Sequence, residues 1–207
     1  MVTRNNIYFY KMTADTGLAP CITGGKILTL ALCAKPLRSV AERGDYVIGF
    51  SSNRDGARLI YVAKVTKKLC GNAYWGAKYA YRLDCIYEDV NGRATLRANR
   101  NNIPNHNTQK DLEYDVGPHF EHGAVLLSEY PDFCYLGAKG TADYKSRYPH
   151  LYPVVVKQRR GYCVHHNQKV RGELEWLIDY LWCNFGPGVH SQPTHQVSWA
   201  VNHCCHL

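Results

Sequence analysis

Long apolar runs are missing from this chain. No stretch approaches the ~20 consecutive apolar residues that a membrane-spanning helix requires, so no transmembrane segment is expected. The opening Met1-Val2-Thr3-Arg4-Asn5-Asn6 leads straight into a strand-like run, and no signal peptide is expected. A cysteine framework is missing as well. Nine cysteines is an odd number and they are scattered, which reads as free thiols in a reducing cytoplasm. The sequence has no C-x-x-C pair, no Walker loop, no dinucleotide fingerprint and no H-x-E…P-C-x-x-C deaminase signature. P-loop phosphotransfer, dinucleotide-dependent redox chemistry and zinc deamination therefore drop out, and no cofactor is expected. Acidic charge is short: 17 Asp and Glu stand against 25 Lys and Arg, for a net charge of +8. That balance suits a polyanionic partner such as nucleic acid or a nucleotide, without naming it.

What is present is enough for a sizeable core. The chain has 207 residues, 45% of them hydrophobic, with 16 tyrosines and 4 tryptophans. One domain over 1–207 is expected, with a β-rich core over 1–160 and a helical C-terminal extension over 161–207. Ile7-Tyr8-Phe9-Tyr10 reads as a strand, and residues 13–25 as a loop punctuated by Gly17, Pro20, Gly24 and Gly25. The apolar run 27–33 suits a buried strand, followed by a short helix over 37–42 that Pro36 opens and Gly44 ends. Residues 46–51 and 59–65 form a hairpin around Asn53-Arg54-Asp55-Gly56. Residues 79–89 read as a long strand, turned by Asn91-Gly92 into 94–96, and 97–111 as an exposed loop. Further strands are placed at 124–127, 133–136 and 151–157. A helix is placed over 170–185, where Val170, Leu174, Leu177, Ile178 and Leu181 make a buried stripe. Strands first and a long helix late argue for an α+β class that is mostly β.

One segment carries more information than the rest. Asp15-Thr16-Gly17-Leu18-Ala19-Pro20 is followed by Leu28-Thr29-Leu30-Ala31, Lys35-Pro36-Leu37-Arg38 and Ala41-Glu42-Arg43-Gly44-Asp45-Tyr46-Val47-Ile48-Gly49. This succession resembles the bacterial family called nucleotide modification associated domain 2. Ser128, Phe133, Tyr135 and Gly137 are similar to a later pattern of that family, with two extra residues between Ser128 and Phe133. The resemblance implies a role beside DNA-modification systems, with proteins of such a system as partners. More weakly, 44–65 with Tyr74-Trp75 resembles the core of PUA-like barrels of the EVE and ASCH kind. That likeness implies a PUA-like mixed barrel ahead of the long C-terminal helix.

Candidate site residues follow from chemistry and from these likenesses. Asp15, Thr16 and Gly17 could contact a base or phosphate through a close-approaching backbone; a self-capped turn is the plainer alternative. Tyr8, Tyr10, Tyr74, Trp75 and Tyr135 could stack an unpaired base, and Ser51 and Ser128 could rim its pocket; core packing is the alternative. Arg54, Lys157, Arg159 and Arg160 could neutralise phosphates, with Lys169, Arg171, His165 and His166 nearby; a solvated face is the alternative. Asp15, Cys21, His119 and His195 are the candidates if chemistry occurs. His190, His195 and the tail His203-Cys204-Cys205-His206 lack ligand spacing, so no metal is expected. The favoured function is a module that holds a modified or flipped base of DNA, or a modified nucleotide, in an aromatic pocket. The alternatives are an enzyme that modifies or removes a base or acts on a free modified nucleotide, and a scaffold of a modification complex.

Overall fold

The structure, a computed structural model, describes residues 5–100, 103 and 105–195. The first strand, β1 (Ile7–Lys11), is followed by a long loop and β2 (Ile27–Leu30). The chain then turns through Cys33 and Ala34, both at positive φ, into α1 (Lys35–Val40), which carries Pro36 in its first turn. β3 (Tyr46–Phe50) and β4 (Leu59–Lys64) make the expected hairpin, and β5 (Lys67–Leu69) follows in a separate sheet. A second hairpin, β6 (Tyr87–Val90) and β7 (Arg93–Leu96), turns at Asn91-Gly92, both at positive φ. Next come α2 (Gln109–Asp115), β8 (Val125–Glu129), β9 (Phe133–Tyr135), α3 (Tyr144–Arg147) and α4 (Leu151–Lys157). The last elements are β10 (Tyr162–Cys163), α5 (Gln168–Asn184) and β11 (Gly188–Val189).

These elements stack in layers, and strand alternation decides which side chains enter which core. A mixed six-stranded sheet runs β10-β1-β3-β4-β9-β11. From β1, Ile7 and Phe9 point to a core shared with Leu151 and Val155 of α4 and Leu174, Leu177 and Leu181 of α5. Tyr8 and Tyr10 point the other way, into a core shared with Leu28 and Leu30 of β2 and Leu126 of β8. There the three-stranded sheet β2-β8-β5 covers the larger sheet. Its far face, through Val125 and Leu127, packs on a third core built from Tyr74, Trp75, Tyr79, Tyr87 and Leu112.

The class is mixed α+β, but the expected PUA-like barrel does not close. Among the described residues the six-stranded sheet ends at β10 and β11, which pair only with β1 and β9. Strands β2, β8 and β5 stack across the sheet instead of continuing its ladder. Beyond residue 160 the chain adds β10, α5 and β11 to the same sheet and core, with α5 lying where the sequence places a helix over 170–185.

Three local expectations are corrected. Residues 151–157 are helix α4, not a strand. Leu151 and Val155, one turn apart, are buried against α5, and Glu173 of α5 accepts hydrogen bonds from His150 N (3.0 Å) and Leu151 N (2.6 Å). That carboxylate caps the helix start, and tertiary packing overrides the β preference of three consecutive valines. Residues 79–89 are turns up to β6, because Arg82 and Asp84 both point inward as a buried ion pair. The segment 97–111 is not simply an exposed loop: Arg100, Ile103 and His106 are buried.

Candidate nucleic-acid interface

The loop that opens the family-like pattern is closed by its own partners. Asp15 is buried; one carboxylate oxygen accepts from Tyr135 Oη (2.6 Å), the other from Thr194 N (2.9 Å) and Thr194 Oγ1 (3.1 Å). Thr16 is half-buried. Gly17 sits at φ +78°, and a Cβ there would stand 2.6 Å from Pro193 Cγ, so the glycine answers to this strap and to its left-handed backbone. His195 is exposed, and its backbone N–H donates to Asp15 O (2.8 Å). Cys21 is fully buried with Sγ 3.1 Å from Thr23 Oγ1, and burial pushes its thiol up. The structure thus gathers Asp15, Gly17, Tyr135 and the backbone of His195, while His119 is remote. It is exposed beside the β6–β7 turn, where Nδ1–H donates to Gly92 O (2.9 Å).

The aromatic candidates fill cores. Tyr8, Tyr10, Tyr74, Trp75 and Tyr135 are each 7% exposed or less, so their ring faces meet protein. Tyr61 Oη donates to Tyr10 Oη (3.0 Å), and burial pushes both hydroxyls up. Tyr74 Oη donates to Asp84 Oδ1 (2.6 Å), in a network where Arg82 also donates to Cys21 O and Thr23 O (both 2.8 Å). Tyr8 meets Tyr162 edge-on at 5.5 Å. Ser51 is a turn residue, accepting from Arg58 N (2.8 Å) and donating to Asp55 O (3.1 Å). Ser128 is buried on β8 opposite Leu28. The tail His203-Cys204-Cys205-His206 lies outside the described residues.

The four phosphate candidates are all at the surface. Arg54, Lys157, Arg159 and Arg160 are exposed. Asn53 Nδ2 donates to Val156 O (3.1 Å), and Lys11 Nζ donates to the same carbonyl (3.2 Å) and to the Asn53 side chain. Arg54 follows Asn53 and Lys157 follows Val156, so this contact draws the β3–β4 turn and the end of α4 into one basic face.

A groove lies along the start of α5, at the other end of β1, where His166 and Arg171 meet Ile7 O and Asn5 O. The groove encloses about 790 Å³, and its lining includes His150, His166, Lys169, Arg171, Gly172 and Trp176. Lys169, Gly172, Glu173 and Trp176 follow i, i+3, i+4, i+7 spacing and so share one side of the helix. Trp176 is 64% exposed. The two acids in the lining are engaged: Glu173 caps α4, and Glu175 accepts from Arg171 Nε (3.1 Å). His166 stacks on Phe9 with ring centres 5.5 Å apart and donates through Nε2 to Ile7 O (2.8 Å); burial pushes its pKa down. Sequence reasoning named the basic residues here but missed Trp176. The signal was only partial: Trp176 stands off the 170/174/177/178/181 stripe, but so does Trp182, which packs against the core.

A family model described as nucleotide modification associated domain 2 matches residues 4–201. No curated protein and no solved structure matches the chain.

Proposed function

The chain belongs to the nucleotide modification associated domain 2 family, and from that premise we propose that it binds an unstacked nucleotide, free or within a strand, in a nucleotide-modification system. The observation that carries this reading is Trp176, an exposed indole at a nucleotide-sized groove beside Lys169. A base stacked on an aromatic face gains roughly 1–3 kcal/mol, and it must be unpaired or flipped to present that face. Lys169 and the exposed Lys157, Arg159 and Arg160 supply charge for the phosphates, and Gly172 leaves the groove floor without a side chain. The groove volume lies within the ~300–1,000 Å³ typical of small-ligand sites. The base-holding aromatic in this reading is Trp176 rather than the rings packed into the cores.

The test is fluorescence anisotropy of labelled single- and double-stranded oligonucleotides, with and without modified bases, across a salt series. Trp176→Ala should weaken single-strand binding about 5- to 150-fold at every salt concentration, the equivalent of one lost stack. A double Arg159→Gln, Arg160→Gln variant should instead flatten the salt dependence. Wild-type-like binding by Trp176→Ala would sink the reading and leave only non-specific phosphate contact.

A further inference from the structure

A different cluster lies at the turn between β2 and α1. Cys33 is exposed and stands at φ +55°, directly after the apolar run that ends β2. Its Sγ lies 3.6 Å from His106 Nε2. The other ring nitrogen, Nδ1, lies 2.6 Å from Asp115 Oδ2, which also accepts from Tyr87 Oη (2.9 Å). His106 is 7% exposed and Asp115 1%, so the thiol reaches solvent while the histidine and carboxylate stand behind it. We propose that Cys33, His106 and Asp115 form a thiol active site that attacks the carbonyl carbon of an amide or ester.

The surrounding structure holds this order of groups. Arg38, fully buried, donates from Nε to Cys33 O (2.8 Å), from one terminal nitrogen to Asp115 O (3.1 Å) and from the other to Ala124 O. One guanidinium thereby ties the nucleophile's turn to the end of the helix that carries the carboxylate, in a fork that lysine could not reproduce. Lys35, two residues past Cys33, holds its ammonium 5.2 Å above the ring of Tyr114, the residue before Asp115. Asp115 Oδ1 is buried without a hydrogen-bond partner. Leaving a carboxylate oxygen so is costly for folding alone; the other oxygen, Oδ2, faces His106 Nδ1, where a carboxylate orients the ring and stabilises the imidazolium. Burial opposes a charged His106, but Asp115 and the Cys33 sulfur outweigh it and push its pKa up to about 10. Among the described residues the other charged or titratable groups around the pair are Arg38, Tyr10, Tyr87, Asp111, Tyr114 and Lys35.

The chemistry balances without a further reagent. In the resting pair the thiol proton is held on His106 Nε2, and the sulfur forms a bond to the acyl carbon. The bond from that carbon to the leaving nitrogen or oxygen breaks, and His106 returns the proton to the leaving group. Water, deprotonated by His106, then adds to the thioester. The S–C bond breaks, and the products are a carboxylic acid, the free amine or alcohol, and the restored thiol. An amine acceptor in place of water would complete acyl transfer. Cys33 and His106 are the catalytic residues; Asp115 and Arg38 are positioning residues.

The protein contains its own controls, because Cys70 and Cys183 are also exposed. Iodoacetamide labelling of the wild-type chain, read peptide by peptide by mass spectrometry at pH 6, should modify Cys33 about tenfold or more faster than Cys70 and Cys183. His106→Gln should bring Cys33 down to the rate of the controls, and Asp115→Asn should place it between. With p-nitrophenyl acetate, a burst of one p-nitrophenolate per chain should accompany a thioester on Cys33 that Cys33→Ala lacks. Labelling of Cys33 at the control rate in the wild type would overturn the proposal, and that comparison needs no variant to fold. Fast labelling without a burst would overturn the acyl assignment. Neither readout involves nucleic acid, so a failure here is separate from a failure at Trp176.

Discussion

Asp15 and Cys33 stand near opposite ends of the same loop–strand segment, and each has a hydrogen-bonding tyrosine behind it. On the Asp15 side every partner is protein: Tyr135, Thr194 and the strap through Pro193 occupy the carboxylate and cover the glycine beside it. Arg82, also buried, fastens the middle of the segment through Cys21 O, Thr23 O and Thr29 Oγ1. On the Cys33 side the polar chain runs from Tyr87 through Asp115 and His106 and stops at a sulfur facing solvent. A network whose last member is protein stabilises the fold; one whose last member faces water has a place for a reactant. Polar residues within a family-like pattern are therefore not by themselves a map of chemistry.

The sharpest way to break this contrast is to open the closed side. Asp84→Ala leaves Arg82 charged, buried and unpaired, and should destabilise the protein by about 3–5 kcal/mol in urea denaturation. Asp15→Ala should cost about 1–3 kcal/mol, because Tyr135 Oη and the Thr194 donors lose their acceptor, while iodoacetamide labelling of Cys33 stays at the wild-type rate. A changed labelling rate would show that the two sides are coupled. A directional test uses pH. His106 in the folded state is raised from 6.5 to about 10, so its contribution to stability is fully present below about pH 6.5 and is lost as pH climbs through 10. The stability difference between wild type and His106→Gln should shrink steadily across that window; a constant difference would contradict the buried imidazolium. The smallest effect is expected at the open side itself. Cys33→Ala should destabilise less than either substitution on the closed side, because its side chain is exposed and its sulfur meets the buried network through His106 Nε2 at 3.6 Å.

The family-like residues turn out to be readable in physical terms once the partners are known. Asp45 accepts from Asn6 N (2.8 Å) and Glu42 N (2.9 Å), pinning α1 to the start of β1 and β3. Gly49 leaves room for the ring of Tyr61, against which any Cβ would collide. Thr29 and Arg38 serve buried networks. Sequence reasoning placed the first hairpin, the Asn91-Gly92 turn and the α5 region well, because those signals are local: turn chemistry and side-chain periodicity over a few residues. It misread 151–157 because Glu173, far along the chain, caps that helix. It misread 79–89 because alternation there records a buried ion pair and not a pleat.

The sequence by itself determined the family, the α+β class, the basic surface and the strand and helix segments whose pattern is self-contained. The tertiary structure alone decided which polar residues are spent on one another and which still face solvent. Cys33, His106 and Asp115 are separated by 73 and 9 residues along the chain, and only the packing of α1 and α2 around Arg38 brings them within hydrogen-bond reach. Spacing in sequence carries no information about such contacts, because loop closure is set by the cores on which the loops rest.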